Sequence, residues 1–397
     1  MKKNISFIVA CSVLALLTAV GIGTWIYQIS GGLGVTGMNN SVSWGLYTSM
    51  FMLFVGLSAG GLIVASAASI FGISKYKKVA LPAVMLSTVC IVAATGFVLV
   101  DLGGVARVFN LFISPQWNSP LVWDVFVILI YFVINVVYLV LMSRSDKNER
   151  SLKVVSAIAL PVAILVHSIT AWIFGLEIAK EGWYSSLLAP LFVVSAIDSG
   201  LALLLIVLSV LNKLKVFEVD SKLMASLAGL LATVIAIDAF LIFCELLTLG
   251  YPGGSGAELL AIMLTGQTAF FFWGEVFCLV VPFLILVFGM NRERTGLVVA
   301  SSVLVVVGVL FKRLWLLLTS FFIFNTAGAP GITVGNSNAA EQTWLLQGTY
   351  APTIVELVIT IGIISLAALL YLVLANRLLQ QPVEHDVSTA VTPSVAV

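Results

Sequence analysis

Charge is scarce in this sequence. Asp, Glu, Lys and Arg make up 9% of its 397 residues and hydrophobic residues 61%, a balance that excludes a soluble domain of this size. The net charge of +1 gives no basic patch for nucleic acid, and no phosphate-binding glycine loop, dinucleotide fingerprint or nucleophile elbow is present. Histidine is nearly missing: there are two, and His385 lies in a polar C-terminal tail, leaving His167 alone at membrane depth. Haem b between facing helices needs two axial histidines, so none is expected here. The four cysteines, Cys11, Cys90, Cys244 and Cys278, stand singly in apolar runs. They form no C-x-x-C pair for zinc or an iron–sulfur cluster, so no metal site is expected and they read as packing residues. Any redox chemistry would then use a lipid-soluble cofactor or one held by a partner.

What the chain does have is apolar runs of membrane-spanning length. A helix needs roughly 20 such residues to cross a bilayer core. Ten runs qualify, near 5–27, 43–71, 80–101, 121–142, 154–174, 187–211, 223–248, 267–290, 297–323 and 353–374. The first follows Lys2 and Lys3 and contains Cys11, but too few apolar residues precede that cysteine for a signal peptide, so a retained helix is expected.

Basic residues set the orientation. With the N-terminus in the cytoplasm, the outer loops hold only Arg107 and Lys180, and Lys312 and Arg313 fall inside the ninth run. The rest of the 19 Lys and Arg lie on the inner side. This asymmetry supports an even number of helices with both termini cytoplasmic. The tail beyond Arg377, with Pro382 and Pro393, reads as disordered.

Helices two and six share a weak pattern. Trp44-Gly45-Leu46-Tyr47 leads to Phe54-Val55-Gly56-Leu57-Ser58-Ala59-Gly60-Gly61, and Trp183-Tyr184 leads to Phe192-Val193-Val194-Ser195-Ala196 and Gly200. Both helices would run from outside to inside, four helices apart, as a duplicated four-helix unit requires. The match is short, and chance remains the other reading.

These residues, with Asp101-Leu102-Gly103 before Arg107, Ser119-Pro120-Leu121-Val122-Trp123-Asp124, His167 and Ala189-Pro190-Leu191, resemble the NrfD/PsrC family. That family comprises the quinone-reactive membrane subunits of polysulfide reductase, with relatives in the HybB hydrogenase subunit and alternative complex III. The resemblance implies an all-α integral membrane protein with two four-helix bundles, helices 2–5 and 6–9, and peripheral first and last helices. The expected divisions are 1–42, 43–175, 176–323 and 324–397. It also implies a quinone pocket near the outer face, menaquinone or ubiquinone as substrate, and location in a bacterial inner membrane. The implied partners are an iron–sulfur ferredoxin-like subunit and, behind it, a molybdopterin enzyme or a multihaem cytochrome c. Membrane lipid would surround the chain, and nucleic acid is not an expected partner. One departure is visible: relatives read Asp-Leu-Gly-Arg-Pro after helix three, whereas Gly104-Val105-Ala106 intervenes before Arg107 here.

Ionisable groups at membrane depth are costly unless paired or wet, so each is a candidate. An outer cluster comprises Asp101, Arg107, Asp124, His167, Asp198 and Glu177, with Tyr47 and Trp123 as further pocket candidates. His167 would lie roughly 10–12 Å below its helix end and Asp198 roughly 18 Å below its own. A quinol loses two protons with its two electrons, so His167 and Asp198 are expected to exchange protons with it. The bland reading makes His167 an interhelical hydrogen-bonder and pairs Asp101 and Asp124 with Arg107. An inner cluster comprises Asp238, Glu245, Glu275, Lys312, Arg313 and Glu356, read either as a proton relay or as ion pairs holding the second bundle. The expected function is electron exchange between the quinone pool and the iron–sulfur partner, coupled to proton movement in anaerobic respiration. An ion-coupled secondary transporter and a passive membrane anchor are the alternatives.

Overall fold

The computed structural model describes residues 2–39, 41–144, 148–322 and 350–379; His385 and the tail lie outside these. Among the described residues, ten helices are long and apolar enough to cross a membrane. They are α1 (Lys2–Gly31), α2 (Leu46–Ile70), α3 (Ala80–Asp101), α4 (Pro120–Ser143), α5 (Glu149–Gly175), α6 (Leu188–Lys213), α7 (Ser221–Gly250), α8 (Ala269–Leu286), α9 (Thr295–Phe322) and α10 (Ile354–Leu378).

Their number and order follow the hydropathy, but their ends follow polar side chains. The Asn148 side chain accepts from the backbone N–H groups of Arg150 and Ser151, so α5 starts five residues before its apolar run. At the end of α8, Arg292 donates to the carbonyls of Leu286 and Val287, and Asn291 to that of Ile285. These side chains satisfy the last turn and stop the helix at Leu286, short of the expected 290. A 12-residue helix, Gly254–Thr265, fills the connection between α7 and α8. It is too short to register as a span.

With the Arg107 and Lys180 end drawn upward, α2 packs on α3 and α5, and α4 closes on both. In the same way α6 packs on α7 and α9, and α8 closes on those two. Two rings of four helices result, joined where α2 meets α6 and α9 and where α5 meets α6. Helix α2 is almost wholly buried, whereas α1 is almost wholly exposed and lies along α10, which packs on α3.

Glycine sets the crossing of α2 with α6. A Cβ on Gly60 would collide with the Ala196 carbonyl oxygen, and one on Gly200 would stand 2.6 Å from the Gly60 Cα. Small residues let backbones touch and so gain the close packing that lipid cannot supply. The pattern shared by the second and sixth runs therefore falls on a mutual contact. Gly21 and Gly362 act alike between α1 and α10, where an added Cβ would meet the opposite Cα at 2.7 Å.

In the lower half of the first ring, hydroxyls and an amide make the polar contacts between helices. Tyr131 and Tyr138 stand seven residues apart on one face of α4. The Tyr131 hydroxyl lies 2.9 Å from Ser58 Oγ and 2.8 Å from Ser87 Oγ, and Ser87 donates to Asn135 Oδ1 at 2.6 Å. The Tyr138 hydroxyl lies 2.7 Å from Ser156 Oγ. These bonds tie α2, α3, α4 and α5 together, each worth about 0.6 kcal/mol in a membrane.

Candidate functional site

Lys312 and Arg313 are consecutive on α9, so their side chains leave the helix about 100° apart and meet different neighbours. Lys312 turns into the second ring. Its Nζ lies 2.5 Å from Asp238 Oδ2 on α7 and 3.1 Å from Glu275 Oε1 on α8. Trp315, one turn above Lys312, donates its indole N–H to Glu275 Oε2. Lys312 and Asp238 are fully buried, and Glu275 nearly so. A buried cation between two carboxylates offsets its desolvation only with such close geometry.

Arg313 turns the other way, across the seam. Its Nη2 donates to Ser195 Oγ on α6 at 2.7 Å and stands 3.3 Å from His167 Nε2 on α5. The guanidinium lies over the Phe192 ring, 3.8 Å from its centroid, a cation–π contact strengthened by full burial. A guanidinium can only donate, so Nε2 is the acceptor, which assigns His167 to the neutral Nδ1–H tautomer. That Nδ1 is buried with no closed hydrogen bond; the Phe192 carbonyl is the backbone acceptor acting on the ring. Gly56 makes room for the imidazole, since a Cβ there would lie 3.3 Å from His167 Cε1.

Asp198 on α6 is fully buried, and neither carboxylate oxygen has a closed hydrogen bond, although the Ser199 backbone N–H acts on it. The charges of Asp238 and Lys312 act on it. Asp238 can share a hydrogen bond with Asp198 only when one of the two acids carries a proton, because ionised carboxylates are acceptors alone. The expected His167–Asp198 pairing is not formed among these contacts. Arg313 holds the His167 ring, and Asp198 sits on the lysine side.

Division into an outer and an inner cluster is thus corrected. His167, Asp198, Asp238, Glu275, Lys312 and Arg313 form one buried group where the rings meet, because α9 packs on both α2 and α6 and carries its two cations to opposite sides. Glu356 does not belong to it. As the third residue of α10 it closes a capping box with Thr353, and it accepts from the Gly37 and Thr353 backbone N–H groups at 2.8 Å each. The Tyr350 hydroxyl donates to it at 2.6 Å while accepting from the Leu46 N–H at 2.7 Å. Burial and the Glu356 carboxylate push the Tyr350 hydroxyl pKa up. Glu245 is also apart from the cations, nearer the upper end, where Ser185 donates to it at 2.8 Å.

The remaining outer candidates do not converge. Asp101 accepts from Thr48 at 3.0 Å, and beside Thr48 on α2 the Tyr47 hydroxyl donates to Gln28 at 2.7 Å. Asp124 accepts from Thr170 at 2.8 Å, joining α4 to α5. Arg107 is exposed in a 3-10 turn and, among the described residues, forms no ion pair with Asp101 or Asp124. The inserted Gly104-Val105-Ala106 forms that turn and carries it past them. Glu177 is exposed on the upper loop, and half-buried Trp123 donates to the Trp117 carbonyl at 2.5 Å.

Sequence reading misses Phe192, Ser195 and Trp315 as parts of the group. Trp315 stands three residues beyond Lys312, the helical spacing that puts both on one face. Phe192 and Ser195 lie inside the quoted pattern, three residues apart on α6, with no ionisable atom to mark them. An aromatic lid is also missed. Trp44 stacks on Trp183 with centroids 6.0 Å apart, and Phe174 and Phe321 meet both rings edge-on. Phe174 and Phe321 stand about two turns above His167 and Arg313 on the same helices, so the lid covers the buried group from above.

Residues 34–325 match the family described as polysulphide reductase, NrfD. The chain is 37% identical, over 90% of its length and 88% of the relative's, to a putative dimethyl sulfoxide reductase membrane subunit of Halobacterium salinarum. It is 28% identical to an Hdr-like menaquinol oxidoreductase integral membrane subunit of Archaeoglobus fulgidus, covering 93% of this chain and 92% of that one. Identity to a selenate reductase subunit of Mesobacillus selenatarsenatis is 26%, over 94% and 93% of the two chains. With ten helices of membrane-spanning length and a family match across most of its residues, the chain is a multi-pass integral membrane protein and belongs to the NrfD family.

Proposed function

We infer that this chain is the quinone-reactive membrane subunit of a respiratory oxidoreductase complex. In this reading it passes electrons between the quinone pool and an iron–sulfur subunit docked on the upper, outer face. The relatives support it: their names describe subunits of dimethyl sulfoxide and selenate reductases and of a menaquinol oxidoreductase, two of them membrane subunits. A molybdopterin enzyme or multihaem cytochrome c completes the complex, and the chain itself holds neither haem nor cluster. Both termini face the cytoplasm, across a bacterial inner membrane.

The observation that carries the reading is the pairing of neutral His167 with Arg313, and Asp198 on the lysine side of the same group, all three buried with hydrogen-bonding capacity unfilled. Such atoms are rare in native interiors and costly to leave open. A quinol ring offers what they lack: a hydroxyl to donate and, after oxidation, a carbonyl to accept. His167 can take a proton from the quinol only on Nε2, so Arg313 must turn its N–H from that nitrogen to the quinol oxygen as the proton arrives. The fixed charge of Arg313 favours the anionic oxygen that deprotonation leaves, without reorganisation at the moment of reaction. Asp198, and the Asp238 and Glu275 that Lys312 bridges, then take protons onward, so that electron transfer is coupled to proton movement.

The test is purification of the assembled complex and its reconstitution into liposomes. Iron–sulfur absorbance that copurifies with the chain, together with electron transfer that requires added quinol or quinone, is the expected result. A chain that purifies alone and moves an ion or solute across liposomes without any redox partner would contradict it.

A further inference from the structure

Toward the upper surface, α6 packs between α5 and α7. A cleft of about 730 Å³ opens there, bounded by the top of α5, the segment that leads into α6, the top of α7 and the helix Gly254–Thr265. That is the size of a ligand site, roughly 300–1,000 Å³, and none of His167, Arg313 and Lys312 lines it. Trp172 and Leu176, exposed at its edge, stand at the level where headgroups of the upper leaflet meet acyl chains.

The charge of this cleft has one sign. Glu181 and Glu245 border it, and no Lys or Arg does. Glu245 is only 7% exposed, yet among the described residues it meets no cation. Ser185 donates to its Oε2, and its Oε1 has no hydrogen-bond partner there. A carboxylate at membrane depth is costly without a counter-charge, and the cleft is where one can enter. Trp172 and Tyr184 add aromatic rings to the walls, and such rings attract an ammonium group. The helix Gly254–Thr265 begins on the same cleft with no side-chain cap, next to Ser255. Its first N–H groups lack intrahelical acceptors and favour a phosphate.

We propose that the cleft seats the headgroup of a zwitterionic phospholipid with a primary ammonium, a phosphoethanolamine. The ammonium donates to Glu245 and Glu181, and the phosphate accepts from Ser255 and the first N–H groups of the short helix. The acyl chains run down α5 past Leu165, which is exposed seven residues below Trp172 on the same face. A primary ammonium brings three N–H donors to the carboxylates, whereas a quaternary one brings none. An anionic headgroup finds no cation on these walls and two carboxylates that repel it. An uncharged quinone head leaves Glu245 without a counter-charge. The bound lipid joins the upper ends of α5, α6 and α7, and the proposal does not depend on what the buried group does with quinone.

The experiment uses the full chain with any subunits that purify with it, stripped of lipid in detergent. Phosphatidylethanolamine, phosphatidylcholine, phosphatidylglycerol and menaquinone are offered in turn, and native mass spectrometry counts what is retained. One phosphatidylethanolamine is expected to be held about tenfold more tightly than the other two phospholipids, the worth of one charge-assisted hydrogen bond. Glu245→Gln is expected to abolish that preference. Glu258→Gln, an exposed change on the short helix outside the cleft, is expected to leave it intact. Should Glu245→Gln fail to accumulate, Ser186→Trp, at an exposed position of the wall, gives a second measurement and is expected to expel the lipid from folded protein. Equal retention of the three phospholipids overturns the proposal, and so does an unchanged preference in Glu245→Gln or Ser186→Trp. Displacement of the bound phosphatidylethanolamine by menaquinone, or retention of soluble glycerophosphoethanolamine as tight as that of the lipid, overturns the assignment to a membrane phospholipid.

Discussion

Arg313 on α9 and His167 on α5 face each other across the seam between the two rings, with Nη2 and Nε2 3.3 Å apart. From Glu149 to His167 and from Thr295 to Arg313 the chain takes equal steps along helices that hold the same place in successive rings. One ring thus contributes a neutral acceptor and the other a permanent cation to a single site. Lysine does not reproduce this arrangement, because it lacks the flat guanidinium that lies on Phe192 and so holds one nitrogen, Nη2, against both Ser195 and His167. Arg313→Lys is expected to assemble and yet to lose quinone-dependent turnover on the order of 10²-fold, the cost of a small misplacement at a reacting centre. Turnover assays normalised to the amount of assembled chain check it, and parent-like turnover would remove Arg313 from the site.

Lys312 holds two buried carboxylates. Lys312→Met leaves both without their counter-ion, a loss of about 3–5 kcal/mol for a broken buried pair. Adding Asp238→Asn and Glu275→Gln removes the stranded charges and is expected to restore much of the thermal stability in detergent, though not proton coupling. Equal midpoints for the single and triple variants would show that the charges do not hold the second ring together.

Gly60 and Gly23 separate packing from mere occurrence in a helix. Gly60→Ala puts a methyl against the Ala196 backbone, whereas nothing lies within 4 Å of a Cβ on Gly23. The first is expected to abolish accumulation of folded protein and the second to leave it unchanged, read by the yield of monodisperse protein after extraction. A normal yield for Gly60→Ala would mean that α2 and α6 do not touch as described.

Charge alone groups Glu356 with the mid-membrane cations, but its contacts are all structural. Glu356→Gln keeps one acceptor oxygen for the Gly37, Thr353 and Tyr350 donors and is expected to cost about 1–3 kcal/mol. Turnover of the protein that does assemble should stay at the parent level. A selective loss of turnover at parent stability would return Glu356 to the functional group.

How much of this is legible in the sequence follows from what each signal measures. Hydropathy records the length of apolar chain, and so the ten spans stand out, while the ends set by Asn148 and Arg292 do not. Depth can be counted along a helix, so every buried charge can be named in advance. Which helices face each other cannot be counted, because a lipid-exposed face and a packed face are both apolar and leave little periodicity to read. For that reason Arg313 reads as a partner of the carboxylates in its own ring, when its neighbour is His167 of the other. Glu245 joins the same cluster on charge alone. The glycines at 60 and 200 are legible as a repeat, and only the fold makes them a contact. Tyr131, Asn135 and Tyr138 pass unnoticed because neutral hydroxyls and amides in an apolar run look like ordinary packing.

The central claim is that His167 exchanges protons with the quinone, and the most direct measurement is quinone-dependent electron transfer by the assembled complex carrying His167→Gln. The amide can still accept from Arg313 and donate elsewhere, so a purely structural hydrogen bond would survive the change. It cannot take up a proton near neutral pH. The account predicts a normal level of assembled chain and a loss of turnover of roughly 10²-fold or more, the scale of losing a general acid or base. Near-parent turnover in a fully assembled His167→Gln complex would contradict it.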